Sequence, residues 1–129
     1  MDYDFMSIEN FGSVSIQRVR DIKPHKNNSE LEIIKVLDQQ VVLKKSSFVV
    51  GDYVAYCQNN VTLSEKMARE FPDLEQGVVI KKFIEGEESS GLCIPIRKIF
   101  KNLPTKTKNE NRKFSFKLGD DVSCYFCDK

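Results

Sequence analysis

The sequence predicts a mainly β fold: a small, closed or partly closed barrel with one or two short helices. Three observations predict it. Short runs rich in Val, Ile, Tyr and Phe recur along the chain, and Gly, Asn, Asp and Pro punctuate them at close intervals. A helical period appears clearly only once, around Met67 and Phe71. Roughly five to seven short strands in one small domain leave many unpaired edges, and closing the sheet into a barrel removes them.

Residues 1–13 read as an N-terminal arm, with Asp2, Asp4 and Glu9 among apolar residues. Residues 14–22 form the first strand, in which Gln17, Arg18 and Arg20 fall between Val14, Ile16, Val19 and Ile22. Pro24 stops it, because proline cannot donate to a ladder, and the polar run from Pro24 to Ser29 is a loop. Residues 31–37 and 41–45 are the second and third strands, joined by a polar turn at Asp38, Gln39 and Gln40. Residues 46–51 connect to a fourth strand at 53–58, which Asn59 and Asn60 end. Residues 64–71 change period. Met67 and Phe71 stand four apart behind Ser64, a hydroxyl N-cap, and Pro72 closes this short helix.

Residues 78–96, VVIKKFIEGEESSGLCIPI, read as a β-hairpin. An apolar, branched run reaches Ile84, an acidic turn spans Gly86 to Ser90, and a second run returns from Gly91 to Ile96. Residues 97–102 are a basic turn or helical segment. Residues 103–113 are polar and basic, a loop or linker carrying Lys106, Lys108, Arg112 and Lys113. In residues 114–129 the hydrophobes return at Phe116, Leu118, Val122 and Phe126, as a segment that docks on the barrel or leads to a catalytic domain absent from the chain. The expected domain is therefore residues 14–102. With the helix between the fourth strand and the last hairpin, its order is close to an OB-fold barrel.

A chain of 129 residues with 40% hydrophobic and 30% charged residues suits one globular domain with its own core. The formal net charge is +1, so any nucleic-acid contact must rest on a local patch. No apolar run approaches the roughly 20 residues that span a bilayer. The acidic first ten residues are unlike a signal or transit peptide, so an intracellular location, cytoplasmic or nuclear, is expected.

The four cysteines are Cys57, Cys93, Cys124 and Cys127. The first two fall in expected strands, where small buried thiols are common. Cys124 and Cys127 form a C-x-x-C pair, but no second ligand pair at zinc-ribbon spacing accompanies it and no thioredoxin-like βαβ pattern surrounds it. His25, the one histidine, stands alone in a loop. No metal site and no cofactor is expected. Reduced thiols are the default.

One ordered series of residues goes beyond pattern. It runs through Asp21-Ile22-Lys23-Pro24-His25, then residues 31–36 and 40–45, then Phe48-Val49-Val50-Gly51-Asp52-Tyr53-Val54-Ala55-Tyr56, and ends on Ser89-Ser90-Gly91-Leu92 with Pro95. Over residues 14–100 it resembles the N-terminal OB domain of the Deinococcus-type RNA ligases, a group that includes an amoeboflagellate nick-sealing enzyme. The motifs FxxGDxVxY and Ser-x-Gly-Leu-x-x-Pro carry the likeness best. The stretch from Pro24 to Glu32 is also similar to tRNA-binding OB domains attached to some synthetases. The resemblance implies a domain that helps a nucleotidyltransferase domain, in cis or in trans, engage a nicked duplex with RNA on the 3′-OH side. The chain departs from the family at Gln58, Asn60 and Glu85. The lysine of the Lys-x-Asp/Glu-Gly motif that accepts AMP is missing; its nearest counterpart is Phe83-Ile84-Glu85-Gly86. The expectation is a non-catalytic module.

OB domains bind through a groove of basic side chains with aromatics that stack bases. The basic candidates on or beside strands are Arg18, Arg20, Lys23, Lys44, Lys45, Lys81, Lys82, Arg97, Lys98 and Lys101. The stacking candidates are Phe48, Tyr53 and Phe83. Ser89 and Ser90, beside Gly91, offer hydroxyls and backbone amides to a phosphate. RNA, or an RNA-containing nicked duplex, is the expected partner, with no membrane. The competing expectation is a protein-interaction domain whose acidic hairpin and basic arm dock another domain or subunit.

Overall fold

A computed structural model describes Ile8 and residues 11–96 and 117–127. Among the described residues, eight strands and one short α-helix follow in order: β1 (Val14–Arg18), β2 (Asp21–Pro24), β3 (Leu31–Val36), β4 (Gln39–Lys44), β5 (Tyr53–Cys57), α1 (Glu65–Ala68), β6 (Lys82–Ile84), β7 (Glu87–Ser89) and β8 (Leu92–Pro95). The mainly β expectation holds.

The strands form two antiparallel three-stranded sheets, β1-β5-β8 and β2-β3-β4, and a separate β6-β7 ribbon. β1 and β2 are one kinked strand that changes partner at its bend. There the Val19 N–H donates to the Asp52 carbonyl and the Arg20 N–H to the Lys35 carbonyl, each at 2.8 Å. On the opposite side the sheets meet where the chain passes from β7 to β8. The Ser90 N–H donates to the Gln40 carbonyl at 2.8 Å, and the Val42 N–H donates to Ser89 Oγ at 3.0 Å. The ring thus runs β1/β2, β3, β4, then the β7–β8 junction, β5 and back to β1.

β5 explains why the sequence there is apolar without alternation. Val54 and Tyr56 enter one core cluster, with Ile34, Val36 and Val41, while Ala55 and Cys57 enter the other, with Val14, Ile16 and Ile94. A strand covered on both faces has no polar side to show. Met67 of α1, capped by Ser64 Oγ accepting the Met67 N–H at 3.2 Å, and Phe126 plug the second cluster. Residues 117–127 close the free edge of β1: the Gly119 N–H donates to the Ile16 carbonyl, the Ile16 N–H to that of Asp120, and the Val122 N–H to that of Val14. Opposite this, the Gln58 side-chain nitrogen reaches the carbonyls of Ile8, Phe11 and Gly12 at 2.9–3.1 Å.

Three local expectations are corrected. The first strand does not end before Pro24, which sits in β2 opposite Glu32. The turn between β3 and β4 is Leu37–Asp38, so Gln39 and Gln40 are ladder residues. Leu37 takes φ 51° because a two-residue hairpin turn requires a left-handed residue there, and its side chain still packs in the core. The third correction is the largest. The expected hairpin across residues 78–96 divides into a tight ribbon and a separate strand. Its turn is Glu85–Gly86, with φ 53° and 93°, a pair whose twist suits a two-residue hairpin. The run from Leu92 pairs with β5, not with β6.

Candidate nucleic-acid interface

Alternation along β2, β3 and β4 defines two faces. Ile22, Ile34, Val36, Val41 and Leu43 point to the core. The register places Asp21, Lys23, Leu31, Ile33, Lys35, Gln40, Val42 and Lys44 on the other face. Ile33 and Val42 are on this outward face yet only 5% exposed. The β6-β7 ribbon stands against this face, with Ser89 bonded to Val42 and the Gln40 side-chain amide donating to the Glu88 carbonyl at 2.8 Å.

Between the ribbon, β3–β4 and the loop after α1 runs a groove of about 310 Å³. Its walls include Leu31, Val42, Phe71, Ile84 and Leu92, and Lys44 and Lys82 line it from two strands far apart in sequence. Glu70 and Asp73 stand among the lining residues, so the groove is an apolar trough with charge of both signs.

The ribbon is held by the loop that joins β2 to β3. His25, 4% exposed, accepts the Asn27 N–H on Nδ1 at 3.0 Å, which leaves its proton on Nε2. Nε2 then donates to the Ile84 carbonyl at 2.9 Å. The Asn27 amide donates to the Glu85 carbonyl, and the Asn28 amide to the Glu85 carboxylate, each at 2.9 Å. Lys26 lies 3.9 Å from Glu87, and Lys81 lies 3.4 Å from Glu88. Each carboxylate of the acidic turn is thus answered within the chain. His25, a lone residue with no visible partner in the sequence, is the centre of this latch.

The residues expected to bind do not all converge. Lys44 and Lys82 meet at the groove, and Lys23 shares the outward face, opposite Ile33. Lys45 is exposed just beyond β4. Lys81, one residue from Lys82 in the extended run, joins Phe83 on the far side of the ribbon, where Glu88 pairs with both. Phe83 is 71% exposed there, away from the groove. Arg18 is exposed at the end of β1 opposite Tyr53, in the other sheet, and Arg20 is half-buried at the bend. Phe48 packs against the core cluster under β2–β4. Ser89 and Ser90 are both buried. Ser89 Oγ accepts from the Val42 backbone and Ser90 Oγ from the Asn59 side-chain amide at 2.8 Å, so both hydroxyls knit the barrel together. Arg97, Lys98 and Lys101 lie outside the described residues.

Lys35 was missed. It is exposed, two residues along β3 from Ile33, and the register sets it between Asp21 and Gln40 on the same face as Lys23. The alternation of LEIIKV carries that signal: Ile34 and Val36 face the core, so Lys35 between them faces out.

A kinked first strand and a ring of five strand segments are the arrangement of an OB barrel, a five-stranded Greek-key barrel. A family model described as an OB-fold domain matches residues 13–105, and the chain belongs to that family. Among solved structures it is similar to the RNA ligase of Naegleria gruberi. A glutamate-to-alanine variant of that ligase with AMP and manganese superposes with TM-score 0.61 at 19% identity, over 85% of this chain and 32% of the ligase. A lysine-to-alanine variant with ATP and manganese gives 0.60 at 20% identity, over 86% and 32%. The ligase with pyrophosphate gives 0.58 at 20% identity, over 85% and 32%. At these identities the likeness is one of fold, and the chain spans about a third of the length of those ligases. No curated protein matches the chain. No helix among the described residues is long and apolar enough to cross a membrane.

Proposed function

We propose that the chain is a nucleic-acid-binding OB module of the Deinococcus-type RNA-ligase kind, which engages an RNA-containing nicked duplex through its phosphates and does no chemistry itself. One observation carries the reading. Lys44 and Lys82, contributed by strands far apart in sequence, line one apolar groove on the outward face of β3–β4, the face and loops through which OB barrels take oligonucleotides. Lys23 and Lys35 extend the positive charge along the same face. The absence of an AMP-accepting lysine at Phe83 supports a recognition role beside a nucleotidyltransferase domain, in cis or in trans. Asn28 and Lys26 of the β2–β3 loop meet Glu85 and Glu87, and Lys81 meets Glu88, so the acidic turn does not present unpartnered carboxylates to a phosphate backbone.

The test compares binding of the chain to a nicked duplex with an RNA 3′-OH strand, an intact duplex and single strands, at two salt concentrations. Preference for the nick with affinity falling steeply in salt is expected. No binding at low salt would sink the reading. A second reading, a module that docks a partner protein, is favoured by one feature. Val49, Val50 and Tyr53, at 64%, 59% and 49% exposure, lie close together in sequence across the turn that leads into β5. On that reading, replacing Val49 and Val50 by serine weakens capture of a catalytic domain and leaves nucleic-acid affinity unchanged.

A further inference from the structure

Cys124 and Cys127 sit in the turn that seats the C-terminal segment. Ser123–Tyr125 is a 3-10 turn, and the N–H groups of Phe126 and Cys127 both donate to the Ser123 carbonyl, at 3.0 and 2.9 Å. The bond from the Cys127 N–H to the Ser123 carbonyl closes an α-turn over residues 123–127, just past the 3-10 turn, and such a turn brings residues three apart to about 5–6 Å between Cα atoms. A disulfide spans Cα separations of about 4.4–6.8 Å, the range that one such turn sets. Both residues line one surface hollow beside α1, together with Lys66 and Arg69. Cys124 is exposed and Cys127 half-buried.

The other two thiols have the opposite setting. Cys57 and Cys93 are buried in β5 and β8. Burial pushes the Cys57 thiol up to about 12, with the nearby Cys127 adding to the effect, and burial pushes Cys93 up as well. Since the thiolate is the reactive form, burial keeps Cys57 and Cys93 unreactive, whereas Cys124 is exposed and Cys127 stands at the edge of the core.

We propose that Cys124 and Cys127 form a redox-active dithiol, which low-molecular-weight disulfides such as oxidised glutathione convert into an intrachain disulfide. The Cys124 thiolate attacks the small disulfide, forming a mixed disulfide and releasing one thiolate. The Cys127 thiolate then attacks Cys124 Sγ, forming the Cys124–Cys127 bond and releasing the second. Two protein thiols lose two protons and two electrons, and one small disulfide becomes two small thiols. The bond fastens a turn with structural consequences. Phe126 is fully buried, its carbonyl accepts the Ser64 N–H at the cap of α1 at 2.8 Å, and Val122 is bonded to β1. Oxidation therefore stiffens the turn through which the C-terminal segment meets both α1 and β1.

The experiment exposes the full chain to mixtures of oxidised and reduced glutathione, quenches with an alkylating agent, and maps tryptic peptide 118–129 by mass spectrometry. The wild type is expected to yield that peptide two hydrogens lighter and closed to alkylation until reduced. Cys127→Ser is expected to stop at a single glutathione on Cys124. Slower amide exchange at Tyr125, Phe126 and Cys127 is expected in the oxidised form. A mixed disulfide that persists on the wild type, a bond from Cys57 to Cys127 instead, or oxidation seen only in denaturant would each overturn the proposal.

Discussion

Tyr56 donates its hydroxyl to the carbonyl oxygen of Ser90, and in doing so fills the space that a side chain on the next residue, Gly91, would need. A Cβ at Gly91 would collide with the phenol and lie 2.8 Å from the Cys57 carbonyl oxygen, and its backbone sits at φ 86°. The barrel closes at this contact, because here the chain leaves the ribbon for β8. Burial also pushes the Tyr56 phenol above its ordinary range, which favours the protonated, donating form.

Gly91→Ala therefore combines a left-handed backbone with an overpacked core. We expect it to cost about 3 kcal/mol, read as a fall of roughly 10–15 °C in the unfolding midpoint. Tyr56→Phe removes one buried hydrogen bond and is expected to cost about 1–2 kcal/mol. The double variant should lose less than the sum, since both changes strike one contact. Additive losses would show that the two residues do not act together.

His25 is expected to matter for the ribbon more than for the barrel. Its ring bridges the Asn27 N–H and the Ile84 carbonyl, and the asparagine contacts to Glu85 depend on the loop it orders. His25→Ala leaves a backbone donor and acceptor without partners, at a cost of about 1–3 kcal/mol. The distinguishing measurement is hydrogen exchange by residue. Protection should fall across Lys82–Ile84 and Glu87–Ser89 and persist in Val14–Arg18 and Tyr53–Cys57. A uniform loss would mean that His25 supports the core generally.

How far the sequence could be read depended on how local each signal was. Alternation and turn residues located the first four strands, and Ser64 with Met67 located α1, because these patterns are written within a few neighbours. The ribbon was misread because Val78, Val79 and Ile80 are as β-prone as strand residues. Val79 is nevertheless buried against α1 and Val14, and Val78 forms only a single bridge, to Thr62. The return from Gly91 was assigned to the nearest apolar run, whereas its partner is β5, more than thirty residues back. Propensity states that a segment is extended; partner choice is set by packing. The candidate site split for a related reason. Adjacent lysines in a strand point to opposite faces, so a doublet such as Lys81-Lys82 supplies one groove residue and one residue of the far side.

Asp121 gives the C-terminal turn an acid-side weakness. Its carboxylate accepts the Ser123 N–H at 2.9 Å and the Ser123 hydroxyl at 2.6 Å, and these bonds hold its carboxyl below the usual carboxylate range. A carboxyl depressed in the folded state contributes stability that is present above its unfolded pKa of about 3.9 and is lost as pH falls through the folded value. Wild type and Asp121→Asn should therefore differ in unfolding midpoint at neutral pH and converge as pH drops below about 4. A gap that stays constant through that range would remove the carboxylate from the account.

The groove makes a sharper prediction about the lysines than the sequence could. If Lys44 and Lys82 each neutralise a phosphate, replacing both by alanine lowers the magnitude of the slope of log affinity against log salt by about 2. Affinity should fall to a similar degree for different base sequences, because phosphate contacts position the ligand and do not read it. Lys81→Ala serves as the internal contrast. Its ammonium is already engaged by Glu88 on the far side of the ribbon, so its slope should stay near that of the wild type. Titrations of wild type, Lys44→Ala/Lys82→Ala and Lys81→Ala on one labelled nicked duplex, across a range of salt, separate these cases. Equal losses for the double variant and for Lys81→Ala would relocate the contact from the groove to the outer side of the ribbon, where Phe83 is exposed to stack.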